Sequence, residues 1–499
     1  MKIAGLDIGT TGCKLTVFDQ DGSCLDQAYQ DYPVRRQSSG HEIDAEAVMD
    51  GVFSAMEAIG ARQPDIAGIG VASFGETFVL ADENGMPLHP AMLYTDPRGK
   101  EECAELEEKI GRERIANITG TKPHEMYSIS KMMWMKRHKP EIFSKAKHIF
   151  LMEDFVVFRL TGSAQIDYSL AARTMAFDIR TLDWSGEIFA CAGIDRALMS
   201  GTVPPGTGAG RLLPEIAERT GMPSQPQIVS ISHDQVAAAV GAGVFDSETA
   251  VDGAGTVECI TPVYDSLPDL TLMSEGNFAV VPYVLPGKYV CYAFSYTGGA
   301  LIQWCVDTLA KKEKELAAQR GLTVNEFLEG DSEEPTGLLV LPHFAGAATP
   351  YMDTGSKGAI VGLTAESSVR DIYRACMEGV AYEMLVNLEY LKRAGTHFTM
   401  LHATGGGARS KVWMQMKADM LGIPITALRT ADAGTVGSAM LTGIAAGRFK
   451  DLKDAAAHMV EKAEVYTPRQ EMHEKYERIY KRYRKLYKAV RPLVQEETL

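Results

Sequence analysis

Two short glycine–threonine turns, each between apolar strands, lie about half the chain apart, at Gly9-Thr10 and Gly255-Thr256. The first sits in MKIAGLDIGTTGCK, where residues 2–7 read as a strand, Gly9-Thr10-Thr11-Gly12 as a turn and residues 13–18 as a second strand. The second sits in TAVDGAGTVECITPVYD, residues 249–265. At 499 residues the chain exceeds one ordinary domain. A hairpin that recurs at half-length predicts two related α/β domains facing each other. The boundary falls near 243–248, giving units 1–245 and 246–499.

Further strands are predicted at residues 66–72 and 78–81, with helical periodicity from about 98 to 159. A second cluster of strand signals starts near Gln227. The last 30 residues predict one amphipathic helix, with Tyr476, Tyr480, Tyr483 and Tyr487 on a single face.

Charge and cysteine use narrow the function. The formal net charge is −15, from 50 Lys and Arg against 65 Asp and Glu, which argues against nucleic-acid or anionic-membrane partners. Phosphate ligands remain open to such a chain, because backbone N–H groups bind them without a basic surface. The eight cysteines are scattered with no C-x-x-C pair, so neither a zinc site nor a disulfide framework is indicated. The polar start and the lack of an apolar run near about 18 residues predict a soluble, cytoplasmic protein.

Three segments carry chemistry. In D-x-G-T-T-x-x-K the turn at Gly9, Thr10 and Thr11 exposes N–H groups and hydroxyls suited to phosphate oxygens. Asp7 at the strand end is a candidate Mg²⁺ ligand, and Lys14 either reaches the phosphate or is solvated. Residues 228–243, IVSISHDQVAAAVGAG, run a strand into a small-residue helix at Asp234. Asp234 reads equally as a helix N-cap or as a catalytic group at a strand's carboxyl end. Gly405-Gly406-Gly407 follows a strand and precedes a helix, an arrangement that lets a flat or anionic ligand lie against backbone. No G-x-x-x-x-G-K-[ST] occurs, so a P-loop is not supported.

Taken in order, these segments resemble the FGGY carbohydrate kinases, over nearly the whole chain. DIGTTGCK resembles that family's first phosphate motif, and GAGTVE its second. MYSISKMMWMKRH, 126–138, is similar to the first signature, with Lys131 and Trp134 in register. SHDQ matches the segment of the catalytic Asp, and KGAIVGLTAESSVRDIYRACMEG, 357–379, the second signature, with Cys376 an unusual occupant. TGGGARS resembles the adenosine-binding glycines, and Gly437-Ser438-Ala439 the later small-residue segment.

The resemblance implies two ribonuclease-H-like (actin-like ATPase) domains with a ligand cleft between them. Sugar would lie toward the N-terminal unit and ATP mainly against the C-terminal one. It implies ATP and Mg²⁺ as cofactors, with Asp234 as base and Asp7 and Asp234 at the metal. Gly9, Thr10, Thr11, Lys14, Gly255, Thr256, Gly298, Gly405, Gly406, Gly407 and Ala408 form the nucleotide set. Glu76, Thr77, Asp96 and Asp234 form the substrate set. A small sugar or polyol is the expected partner, with a homodimer admitted and no nucleic acid or membrane.

Departures from the family blur the substrate. Ser73-Phe74-Gly75-Glu76-Thr77 keeps the Glu-Thr of a glycerol-kinase-like Gln-Arg-Glu-Thr loop, with Gly75 in place of its Arg. It has neither the Met nor the His of the xylulokinase-like Gln-Met-His-Gly. Tyr94-Thr95-Asp96-Pro97-Arg98 resembles Trp-x-Asp-x-Arg; Asp96 reads there as a sugar contact or as a partner of Arg98. Gly346-Ala347-Ala348-Thr349-Pro350 stands where the family has Gly-Glu-Arg-x-Pro. A xylulose-like ketopentose is the first expectation; glycerol, erythritol, ribulose and gluconate are alternatives. A non-catalytic actin-like sugar- or nucleotide-binding protein is the competing class, disfavoured by retention of Asp7, Thr10, Asp234 and the glycine run.

Overall fold

The structure is a computed structural model that describes residues 1–37, 40–330, 333–429 and 432–494. Two mixed sheets organise it. The first contains β1 (Lys2–Ile8), β2 (Gly12–Phe18), β3 (Cys24–Asp31), β4 (Ile66–Ser73), β5 (Thr207–Arg211) and β6 (Gln227–His233), in the order β3-β2-β1-β4-β6-β5. The second contains β7 (Thr249–Ala254), β8 (Glu258–Tyr264), β9 (Ala279–Pro282), β10 (Tyr289–Ser295), β11 (Met400–Thr404), β12 (Ile425–Leu428) and β13 (Lys462–Tyr466), in the order β9-β10-β8-β7-β11-β12-β13.

Apart from the extra edge strand β9, one order repeats the other. Each sheet has an antiparallel hairpin whose first strand pairs in parallel with the next strand across, β1 with β4 and β7 with β11. The recurrence of the Gly-Thr hairpin is therefore a duplicated α/β fold.

The apolar composition of these strands explains their burial. β1, β4 and β8 are apolar along most of their length rather than alternating, as expected of strands covered on both faces. β3 alternates between exposed and half-buried residues and lies at the sheet edge.

Six helices position or brace the cleft: α1 (Tyr168–Ala172), α2 (Asp234–Gly241), α3 (Lys411–Leu421), α4 (Ala433–Ala445), α5 (Gln470–Tyr483) and α6 (Leu486–Val494). Helices α2 and α4 cross at glycine. A Cβ on Gly241 would overlap the Ala433 carbonyl, and one on Gly437 the Ala237 carbonyl. Helix α4 also presses on β1, where a Cβ on Gly5 would overlap the Thr435 carbonyl. The small-residue segment Gly437-Ser438-Ala439 is thus the joint by which the C-terminal half packs on the N-terminal sheet.

Gln227–His233 lies in the first sheet, between β4 and β5, and the second sheet begins at Thr249. Two sequence expectations are corrected. The helical stretch from 98 to 159 is interrupted by the strand His148–Leu151, which pairs with Phe78–Ala81. The C-terminal helix is two, α5 and α6, and residues 495–499 lie outside the described residues. Tyr476, Tyr480 and Tyr483 are buried on α5, whereas Tyr487 lies on α6 and donates to Asp353 Oδ2 at 2.8 Å. No described helix is long and apolar enough to cross a membrane.

Candidate active site

Register aligns the functional loops. Ile8 pairs with Ser73, and Ser73 with His233, so β1, β4 and β6 end in one row. The Gly9 turn, the 74–77 loop and Asp234 issue from that single sheet end, where open α/β sheets hold ligands. In the second sheet Gly253 pairs with Thr404 and Glu258 with Ser295. The turn after β7, the glycine run after β11 and the Gly298 segment after β10 therefore meet at the corresponding end.

The first turn is closed by the Gly9 N–H donating to Gly12 C=O at 2.9 Å, which leaves Thr10 and Thr11 at its tip. Asp7 and Lys14 are cross-strand neighbours. Burial first, then the charges of Asp234 and Asp432, push the Asp7 carboxyl up to about 7. Its Oδ1 is buried with no hydrogen-bond partner among the described residues. Lys14 is spent on Asp432, at 2.7 Å. Asp432 caps α4, so the C-terminal half delivers a third carboxylate next to Asp7.

Asp234 opens α2, but the N-cap position belongs to His233. The Asp234 carboxylate accepts from the adjacent Gln235 N–H at 2.6 Å and lies 3.3 Å from His233 Nε2. The N-cap reading of this residue is therefore replaced by one in which its carboxyl faces the cleft. Burial, assisted by Glu76 and opposed by Gln235 N–H and Arg173, raises its pKa to about 6. Burial and Arg173 together hold the His233 imidazole well below its ordinary value, which keeps it neutral. Behind this junction, His233 N–H donates to Ser169 Oγ at 2.9 Å, and Ser169 Oγ donates to Asp167. That chain fixes the backbone from which Asp234 projects.

The second turn is built by backbone alone. Gly298 N–H donates to Thr256 C=O at 3.0 Å and Gly299 N–H to Gly255 C=O at 2.8 Å. A Cβ on Gly405 (φ +91°) would stand 2.6 Å from Ala254 O, so only glycine lets the 405–407 run lie against the turn. Gly255, Thr256, Gly298, Gly405, Gly406, Gly407 and the buried Ala408 thus form one backbone-lined surface.

Between the turns lies a cavity of about 230 Å³, lined among others by Thr10, Glu76, Tyr94, His233, Asp234 and Tyr292. The substrate candidates separate here. Glu76 enters the lining, at a left-handed φ of 63°, a strained conformation for a non-glycine residue. Thr77 is buried outside it, with Oγ1 unpartnered among the described residues. Asp96 also stays out of the lining. Its oxygens accept from Arg98 Nε at 2.8 Å, Arg98 Nη2 at 2.6 Å and His41 N–H at 2.7 Å. Arg98 lies 5.0 Å over Trp134, so the tryptophan of the first signature braces that pair. The ion-pair reading of Arg98 is the observed one.

Sequence reasoning missed Arg173, Asp432 and the tyrosines Tyr127 and Tyr292. Tyr127 sits within the first signature but nothing there marks it as a site residue; Arg173 and Tyr292 carry no local motif, and a capping Asp before a small-residue helix is the only signal Asp432 offers. A larger cavity of about 420 Å³ lies by α3 and α5 and contains no residue of either turn.

Comparison with known proteins agrees with this layout. The FGGY family of carbohydrate kinases matches through its N-terminal domain at residues 2–241 and its C-terminal domain at residues 259–446. The chain belongs to this family. A xylulose kinase of Bacillus subtilis (strain 168) is 26% identical over 482 residues, covering 95% of this chain and 94% of that one. A gluconokinase of the same organism is 27% identical over 481 residues, covering 95% and 93%. A ligand-bound xylulose kinase from Lactobacillus acidophilus superposes with a TM-score of 0.88 at 23% identity, covering 98% of each chain, and shares the fold. This FGGY member is a carbohydrate kinase, a phosphotransferase with an alcohol acceptor.

Proposed function

We propose that this chain transfers the γ-phosphoryl group of ATP to a hydroxyl of a small sugar or polyol, with a xylulose-like ketopentose as first substrate. The observation that carries this reading is the place of Asp234. It lies in the wall of a cavity of about 230 Å³, with Thr10 of the first turn in the same wall.

Asp234 accepts the proton of the attacking hydroxyl, whose oxygen bonds to the γ-phosphorus as the bond to ADP breaks. The N–H groups and hydroxyls of the Gly9 and Gly255 turns hold the phosphates, and the 405–408 surface seats the adenosine. The unpartnered Asp7 Oδ1 beside Asp234 and Asp432 fits a hard divalent cation. Mg²⁺ bound by Asp7 and Asp234 would neutralise charge on the transferring group.

A coupled ADP-release assay across pentuloses, hexuloses, polyols and aldonates tests this. The expected result is strong stimulation by one neutral acceptor. An ATPase rate that no acceptor raises would overturn the kinase reading of this cleft.

A further inference from the structure

Met352 lines the cavity that Asp234 faces, at a left-handed φ of 49°, a strained conformation for a non-glycine residue. Both of its neighbours in the chain are held by the C-terminal helix α6. The Tyr351 ring stacks on the Tyr487 ring, with centres 3.9 Å apart and planes 23° from parallel. Asp353 Oδ2 accepts from Tyr487 OH and from Arg491 Nε, both at 2.8 Å. Two side chains of one helix thus grip the residues on either side of a single cavity-lining methionine.

The grip reaches further lining residues through the same loop. Ala347 and Asp353 exchange backbone hydrogen bonds at 2.9 and 3.0 Å, and Met352 N–H donates to Ala348 C=O at 2.7 Å, which closes the 347–353 loop on itself. Within it, Pro350 C=O accepts from Asn277 Nδ2 at 2.6 Å, and Thr349 Oγ1 holds the Phe294 backbone. Asn277 and Phe294 line the same cavity as Met352. The base of the loop is anchored separately. His343 Nδ1 lies 2.8 Å from Ser356 Oγ and its Nε2 3.1 Å from Glu383 Oε1, while Glu383 Oε2 accepts from Tyr483 OH of α5 at 2.6 Å. Loss of the α6 contacts therefore loosens the tip of the loop and leaves its base in place.

The side chains set by this loop suit one part of an acceptor. Met352 and Phe294 offer apolar, polarisable surface, which packs on the C–H faces of a carbon chain and competes for none of its hydroxyls. Neither can carry a proton or hold a phosphate, so their contribution belongs to acceptor binding. We propose that α6 is a positioning element for that binding: Tyr487 and Arg491, through Tyr351 and Asp353, set Met352 against the carbon chain of the acceptor. This rests on the kinase reading.

The test uses the full-length protein with MgATP and its best acceptor, measuring kcat, acceptor KM and ADP affinity. Met352→Ala is expected to raise KM about 10-fold. Tyr487→Phe keeps the ring stack and loses the hydroxyl, and is expected to raise KM about 3- to 10-fold. Both should leave ADP affinity unchanged and kcat within about 2-fold. In the double variant Tyr487→Phe with Met352→Ala, the Tyr487 effect should fall below about 2-fold, because the side chain it positions is gone. If Tyr487→Phe no longer binds ADP, Arg491→Gln takes its place, alone and with Met352→Ala, with the same KM rise and the same coupling expected. Unchanged KM, rises that simply multiply in the double variant, or an equal loss of kcat and ADP affinity overturns the positioning role and leaves the kinase reading standing. A wild type that no acceptor stimulates overturns both.

Discussion

Asp234 combines a carboxylate's function with a carboxyl group's reluctance to ionise. With its pKa raised to about 6, it holds its proton below that value and cannot accept another. The sign is therefore fixed: activity rises with pH through about 6 and is lost as pH falls below it. With saturating nucleotide, kcat/KM for the acceptor should drop about tenfold per pH unit on the acid side. A profile flat down to pH 5 would contradict this role. At the same scale, Thr349 Oγ1 accepts from Phe294 N–H at 2.8 Å and donates to Phe294 C=O at 3.0 Å. The segment whose family counterpart carries Glu and Arg thus pins a cavity-lining residue here through a hydroxyl, with Ala347 and Ala348 buried beside it.

Two elements hold the cleft's frame in ways that mutation can expose. Where α2 and α4 cross, backbone meets backbone with no room for side chains. Gly437→Ala should cost about 1–3 kcal/mol in denaturant unfolding, because overlap with the Ala237 carbonyl forces the helices apart. Wild-type stability would contradict that packing. On α3, fully buried Lys417 lies 2.9 Å from Asp252 Oδ2, contacts Glu258 and sits 4.6 Å from the Trp413 ring centre. Lys417→Met strands two buried carboxylates and should destabilise by about 3–5 kcal/mol in the same measurement. A loss below 1 kcal/mol would show the triad to be dispensable.

At the scale of the whole molecule, the duplicated fold was legible because a hairpin turn is a local event. Gly9-Thr10 and Gly255-Thr256 are marked by the residues that make them, and each does lie between paired strands. Asp234 was visible for the same reason, at a strand–helix junction. Arg173 was not: its partner Glu76 lies 97 residues away, and nothing local in DYSLAARTM distinguishes it. The tyrosine periodicity ran through the break between α5 and α6, since spacing records a face and not the continuity of an axis.

The chemistry proposed for this cleft turns on Asp234 as the base of phosphoryl transfer. Single-turnover transfer from ATP to the best acceptor, compared between wild type and Asp234→Asn at equal nucleotide occupancy, tests it directly. The expected result is a rate loss of about 10²–10⁴-fold with ATP affinity retained. Wild-type-like turnover in the Asn variant would contradict it.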